Sequence, residues 1–121
     1  MKELFSHASS VFPVRDINHS IRFYTKQLGF KLNFTWEDPI TYAVLARGEV
    51  KIHLSTRQDD CVPSKRHTAL YIFVHDVDAV YEEFLAQNVI IENPPEDQTY
   101  KMREFNITDP DGYILTIGKG E

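Results

Sequence analysis

Hydrophobic residues follow two spacings along this chain. Over 16–29 the apolar residues Ile17, Ile21, Tyr24 and Leu28 fall at i, i+4, i+7 and i+11, one face of a 3.6-residue helix. Asp16 stands where a carboxylate accepts an orphan backbone N–H at the helix start, and Gly29 stands where a left-handed residue closes the end. The same arrangement returns at Asp76. Val77, Val80, Tyr81, Phe84 and Leu85 form the apolar face, and Asn88 takes the closing position. Elsewhere the period is two. That alternation predicts strands at roughly 7–14, 30–36, 41–46 and 49–55, then at roughly 67–74, 89–92, 102–108 and 113–118. Asp109-Pro110-Asp111-Gly112 is a type I turn signal joining the last two strands.

The order strand, helix, strand, strand, strand thus occurs twice, and a short motif repeats with it. Val14-Arg15-Asp16-Ile17-Asn18 recurs as Val74-His75-Asp76-Val77-Asp78, an offset of 74 − 14 = 60 residues. The chain reads as one α+β domain over 1–121, built of two tandem βαβββ modules at 4–57 and 66–120. Between them, from Arg57 to Lys65, the loop residues Asp59, Asp60, Pro63 and Ser64 cluster.

Each strand sorts into two faces. Val50, Ile52 and Leu54 oppose Lys51, His53 and Ser55, and Tyr113, Leu115 and Ile117 oppose Ile114, Thr116 and Gly118. The purely apolar sides cover the helices, and Ser10, Phe12, Val14, Leu70, Ile72 and Val74 go with them. The other sides form a mixed surface. It holds His7, Ser9 and Val11 in the first module, and His67, Ala69, Tyr71 and Phe73 in the second. Such a surface suits a ligand cleft or a face packed on another sheet or subunit. Pro13 cannot donate to a ladder. The first strand is therefore expected at an edge or bulge, where two modules or subunits meet.

Composition narrows the partners. Thirteen Lys and Arg against 18 Asp and Glu give a net charge of −5, which argues against nucleic acid and is compatible with a cationic small ligand. The single cysteine, Cys61, cannot form an internal disulfide. The first residues lack the apolar run of a signal peptide, and no window approaches 18 apolar residues, so the expectation is a cytoplasmic protein away from membranes. No Ser-His-Asp order, phosphate loop or paired-cysteine motif is present. Trp36, Tyr42, Tyr71 and Phe73 are candidates to stack on a flat or cationic ligand, with core or subunit packing as the competing account. Arg103 is a candidate partner for an acidic group of a ligand, with a solvated surface arginine as its alternative.

The residues assembled so far resemble the vicinal oxygen chelate superfamily, which includes glyoxalase I, extradiol dioxygenases, fosfomycin-resistance enzymes and bleomycin-resistance proteins. The first module carries the resemblance in Phe12-Pro13-Val14-Arg15-Asp16 and in Phe23-Tyr24 with Leu28-Gly29-Phe30. The second carries it in Phe73-Val74-His75-Asp76-Val77-Asp78 and in Arg103-Glu104-Phe105 leading to Asp109-Pro110-Asp111-Gly112. Pro13 looks like the bleomycin-resistance branch. The resemblance implies paired modules whose sheets curl around a cleft, with ligand grooves shared between the two chains of a homodimer. In the enzyme members it implies a divalent metal at four positions, on the first and last strand of each module. Those positions fall here on Ser9, His53, Ala69 and Thr116, of which only His53 is a credible ligand. The departure agrees with the drug-binding members. The expectation is a small organic ligand, such as an antibiotic of the bleomycin type, bound without cofactor or catalysis. An alternative is a metal-dependent lyase, isomerase or dioxygenase holding Zn, Ni, Mn or Fe on His7, His53 and His67, since 67 − 7 = 60 makes two of these equivalent.

Overall fold

A computed structural model describes residues 2–57 and 62–121; Cys61 and the acidic pair before it lie outside the described residues. Both helices begin where a carboxylate caps them. Asp16 accepts from the His19 N–H at 3.1 Å and Asp76 from the Ala79 N–H at 3.0 Å. The first helix, α1, runs Ile17–Arg22 and continues as a π-helical turn over Phe23–Gln27. The second, α2, spans Val77–Ala86. Gly29 at φ 76° and Asn88 at φ 61° follow them in the left-handed conformation, as their residue types lead one to expect.

The first module has strands β1 (Ser10–Val14), β2 (Lys31–Trp36), β3 (Tyr42–Arg47) and β4 (Val50–Thr56). The second has β5 (Thr68–Phe73), β6 (Glu96–Asp97), β7 (Met102–Thr108) and β8 (Ile114–Gly120). They form two four-stranded mixed sheets of identical topology, β1-β4-β3-β2 and β5-β8-β7-β6. In each the first strand runs parallel to the last and the other pairs are antiparallel. The sequence repeat is a structural repeat.

Two strands differ from expectation. The first was expected over 7–14, but its ladder with β4 opens at Ser10↔Ile52, which leaves His7 and Ser9 in the irregular segment ahead of it. The strand expected at 89–92 is an isolated bridge, Ile91↔Ile107, followed by the two-residue β6. Pro94 and Pro95 stand between them, and two residues without an N–H cannot carry a ladder through. Pro13 does lie on an edge, since β1 pairs with β4 alone.

The helix sides of both sheets share one core. Tyr24, Leu45, Ile52 and Leu54 from the first module meet Phe105, Ile107, Leu115 and Ile117 from the second. Polar contacts stitch the seam. The Tyr24 hydroxyl donates to Asp109 Oδ2 at 2.7 Å, and Asp109 Oδ1 accepts the N–H groups of Asp111 and Tyr113, each at 2.9 Å. Burial holds both the Asp109 carboxyl and the Tyr24 phenol above their ordinary values. Arg15 pairs with Asp111 at 3.1 Å. The ring of Tyr113 stacks on Phe12 at 4.5 Å, and its hydroxyl donates to the Pro13 carbonyl at 2.8 Å. The edge strand therefore does meet the other module. Opposite, the Arg47 guanidinium grips Glu83 at 2.6 and 2.9 Å and holds that carboxyl below its usual range.

Candidate functional site

Because α1 packs on β3 and β4, and α2 on β7 and β8, each sheet keeps one side free of helix. Strand register identifies what stands there. On the first sheet, one row across the strands is Val11, His53, Val44 and Phe34, and the next is Pro13, Ser55, Tyr42 and Trp36. A register shift in β2 produces this arrangement. Leu32 pairs with the buried Leu45, but beyond the shift Phe34 pairs with Val44 and Trp36 with Tyr42. Phe34 and Trp36 stack at 6.3 Å and are 49% and 59% exposed, an unusual outlay of aromatic surface for a face without a function. The Tyr42 hydroxyl and His53 Nδ1 lie 2.7 Å apart, which fixes both rings beside them.

On the second sheet, Phe73, Gly118, Glu104 and Glu96 lie in one row, and Tyr71, Thr116 and Asn106 in the next. The Tyr71 ring tilts against Phe73 at 4.7 Å, and its hydroxyl donates to Glu104 Oε2 at 2.6 Å. The Tyr100 hydroxyl donates to the other oxygen of the same carboxylate. Burial and the bond to Glu104 hold the Tyr71 phenol well above its ordinary value; the Glu104 bond raises that of Tyr100.

His53, Tyr71 and Phe73 thus share the helix-free faces, as their strand positions imply, and the register shift in β2 brings Trp36 to the same side. Ala69 is exposed at a register shift in β5, and Ser9 precedes β1. Thr116 is buried. Its hydroxyl donates to Asn106 Oδ1 at 2.7 Å and lies 2.8 Å from that of Thr68. The four family metal positions are divided between the two sheets of the chain and present one imidazole. The alternative histidines are not assembled either. His7 Nδ1 bonds to Ser6 at 2.9 Å and His67 Nδ1 to Ser64 at 2.8 Å, both in irregular segments. Among the described residues no group of three His, Cys, Asp or Glu is placed to hold a metal ion.

Arg103 differs from the expectation of a ligand-facing side chain. It points to the helix side of β7, where Asp78 holds it at 2.9 and 3.0 Å and Asp97 at 3.2 Å. Its neighbour Glu104 takes the ligand side instead, by simple alternation. Phe34, Tyr100 and Glu104 were not singled out from the sequence. The alternation of polar Glu104, Asn106 and Thr108 against Phe105 and Ile107 is the signal that points to Glu104. A separate cavity of 660 Å³ opens at the module seam, lined by Phe30, Val50, Ile72 and Phe84 and bordered by Arg47 and Glu83. Five of its lining residues, Leu28, Phe30, Ile72, Phe84 and Ile117, belong to the buried core, and it touches the helix-free faces at Phe73.

Paired βαβββ modules with open sheet faces define a class of proteins, and comparison with known proteins places the chain within it. The model of the Glyoxalase/Bleomycin resistance protein/Dioxygenase superfamily matches residues 5–117, and the chain belongs to that family. A bleomycin resistance protein from Geobacillus stearothermophilus is 31% identical over 121 residues, covering 87% of this chain and 89% of that one. Among solved structures, the bleomycin-binding protein from Streptomyces verticillus, complexed with copper(II)-bleomycin, superposes with a TM-score of 0.79 at 26% identity, over 100% of both chains. TioX from Micromonospora sp. ML1 gives a TM-score of 0.81 at 18% identity, over 97% of this chain and 100% of that one. No helix among the described residues is long and apolar enough to cross a membrane.

Proposed function

We propose that this protein is a cytoplasmic homodimer that binds a flat small organic molecule of the bleomycin type, without metal and without catalysis. The observation that carries the reading is the set of exposed aromatic rings, Phe34, Trp36 and Phe73, with Tyr71 bonded to Glu104 beside Phe73, all on sheet faces that no helix covers. Rings on a rigid sheet supply large contact area at little entropic cost. A second copy placing its second sheet against this chain's first would enclose the ligand between the two. The family's metal positions do not suit a divalent ion: Ala69 has no donor and Thr116 is engaged within the sheet, which leaves His53 as a single imidazole. Relatives that bind or resist bleomycin support the ligand class.

Elemental analysis of untagged protein, followed by calorimetric titration with bleomycin, tests this. The expected result is far less than one equivalent of metal, saturable binding, and a melting temperature that rises with bleomycin concentration. Near one equivalent of tightly bound metal would overturn it and direct work to lyase and dioxygenase substrates.

A further inference from the structure

We propose that Glu104, with Tyr71, Tyr100 and Phe73, forms a subsite for the cationic head of the ligand: an amidinium, guanidinium or ammonium group attached to a flat aromatic body. This rests on the open-face binding reading and specifies which chemistry the second sheet selects.

The charge pattern argues for it first. The described guanidinium ion pairs lie elsewhere: Arg15 with Asp111, Arg47 with Glu83, and Arg103 with Asp78 and Asp97. No ion pair to Glu104 occurs among the described residues. The nearest cation in sequence, Arg103, is carried to the opposite side of β7 by strand alternation and is spent on α2. Across the ladder, Glu96 brings a second carboxylate to the same row rather than a lysine or arginine. The helix side of this strand is neutralised and the ligand side is left negative.

Geometry argues for it second. Both oxygens of Glu104 accept a phenolic O–H, one from Tyr71 and one from Tyr100. Phenols are neutral donors. They fix the carboxylate in orientation without cancelling its charge, and each oxygen retains a second lone pair for an incoming N–H. The sequence makes room for this grip at Gly118. A Cβ there would stand 2.1 Å from the Tyr71 hydroxyl and 3.1 Å from Glu104 Cβ, so any larger residue would push the phenol off the carboxylate. Phe73, 71% exposed beside Tyr71, offers a ring face next to the bound charge. A planar cation can therefore place its N–H groups on Glu104 and its body along Phe73.

The test uses two soluble isosteres that differ in charge, naphthalene-2-carboxamidine and naphthalene-2-carboxamide, titrated into the full-length protein by calorimetry. The amidinium is expected to bind about tenfold or more tightly than the amide, as a charge-assisted contact replaces a neutral one. Its affinity should fall with added salt while that of the amide stays flat. Glu104→Gln keeps an acceptor and a donor for the two phenols. It is expected to abolish the preference of the amidinium over the amide and the salt dependence with it, with near-UV circular dichroism confirming the fold. Should Glu104→Gln not fold, the salt dependence on the unaltered protein decides. Equal, salt-independent binding of both compounds, or a preference that survives Glu104→Gln, overturns the cation subsite and leaves the open-face reading standing. Binding of neither compound overturns both.

Discussion

The two sides of each sheet are built on opposite rules. On the helix side, the charged groups and a buried phenol are matched within the chain: Arg47 with Glu83, Arg103 with Asp78, Arg15 with Asp111, Tyr24 with Asp109. Aromatic rings there are enclosed, with Tyr81 and Phe84 set edge-on to Phe105 at 5.5 and 6.2 Å. On the open side, Phe34, Trp36 and Phe73 stand exposed, and Glu104 has only neutral donors. Stability requires buried groups to be satisfied internally, whereas binding requires groups left for something else to satisfy. The two requirements cannot be met on one surface. The pleat separates them at a distance of one residue.

Substitutions on the two sides should therefore separate stability from affinity. The largest effect is expected from Phe105→Ala, which empties a fully buried position beneath both α2 rings. It should cost about 3–5 kcal/mol of unfolding free energy in a urea titration. A loss below roughly 1 kcal/mol would mean that the helix side is not the stabilising one. Next is Trp36→Ala on the open side. Stability should change by no more than about 0.5 kcal/mol, while bleomycin affinity falls several-fold by calorimetry. Unchanged affinity would remove the first sheet from the ligand surface.

The smallest effect sharpens the comparison through pH. Arg47 holds the Glu83 carboxyl below its unfolded value, so that pair contributes stability above about pH 4.3 and loses it as pH falls through the depressed folded value. The pair is exposed enough for the contribution to stay below about 1 kcal/mol. Glu83→Gln should melt slightly below the unaltered protein at pH 7, and the two curves should converge as pH falls through the depressed folded value. A gap that persists in acid would place the effect in packing rather than charge.

The amino-acid sequence by itself determined the repeat and much of the scaffold. Caps, left-handed closers and alternation are local chemistry, so Asp16, Asp76, Gly29 and Asn88 could be read with nothing else known. Alternation also placed His53, Tyr71 and Phe73 on a side apart from the helices, because strand period is fixed by the backbone. What the tertiary structure decided lies where periodicity breaks or partners are remote. The register shift in β2 turned Phe34 and Trp36 outward, and no local signal marks it. Pro94 and Pro95 cut short a strand that apolar Val89, Ile90 and Ile91 had suggested. Asp78, 25 residues away in sequence, claimed Arg103, and Tyr71, 33 residues away, reached across Gly118 to orient Glu104. An ion pair depends on distance through space, which the chain sets only when it has folded, and so the sequence showed which residues carry charge while the fold decided which charge was left to meet a ligand.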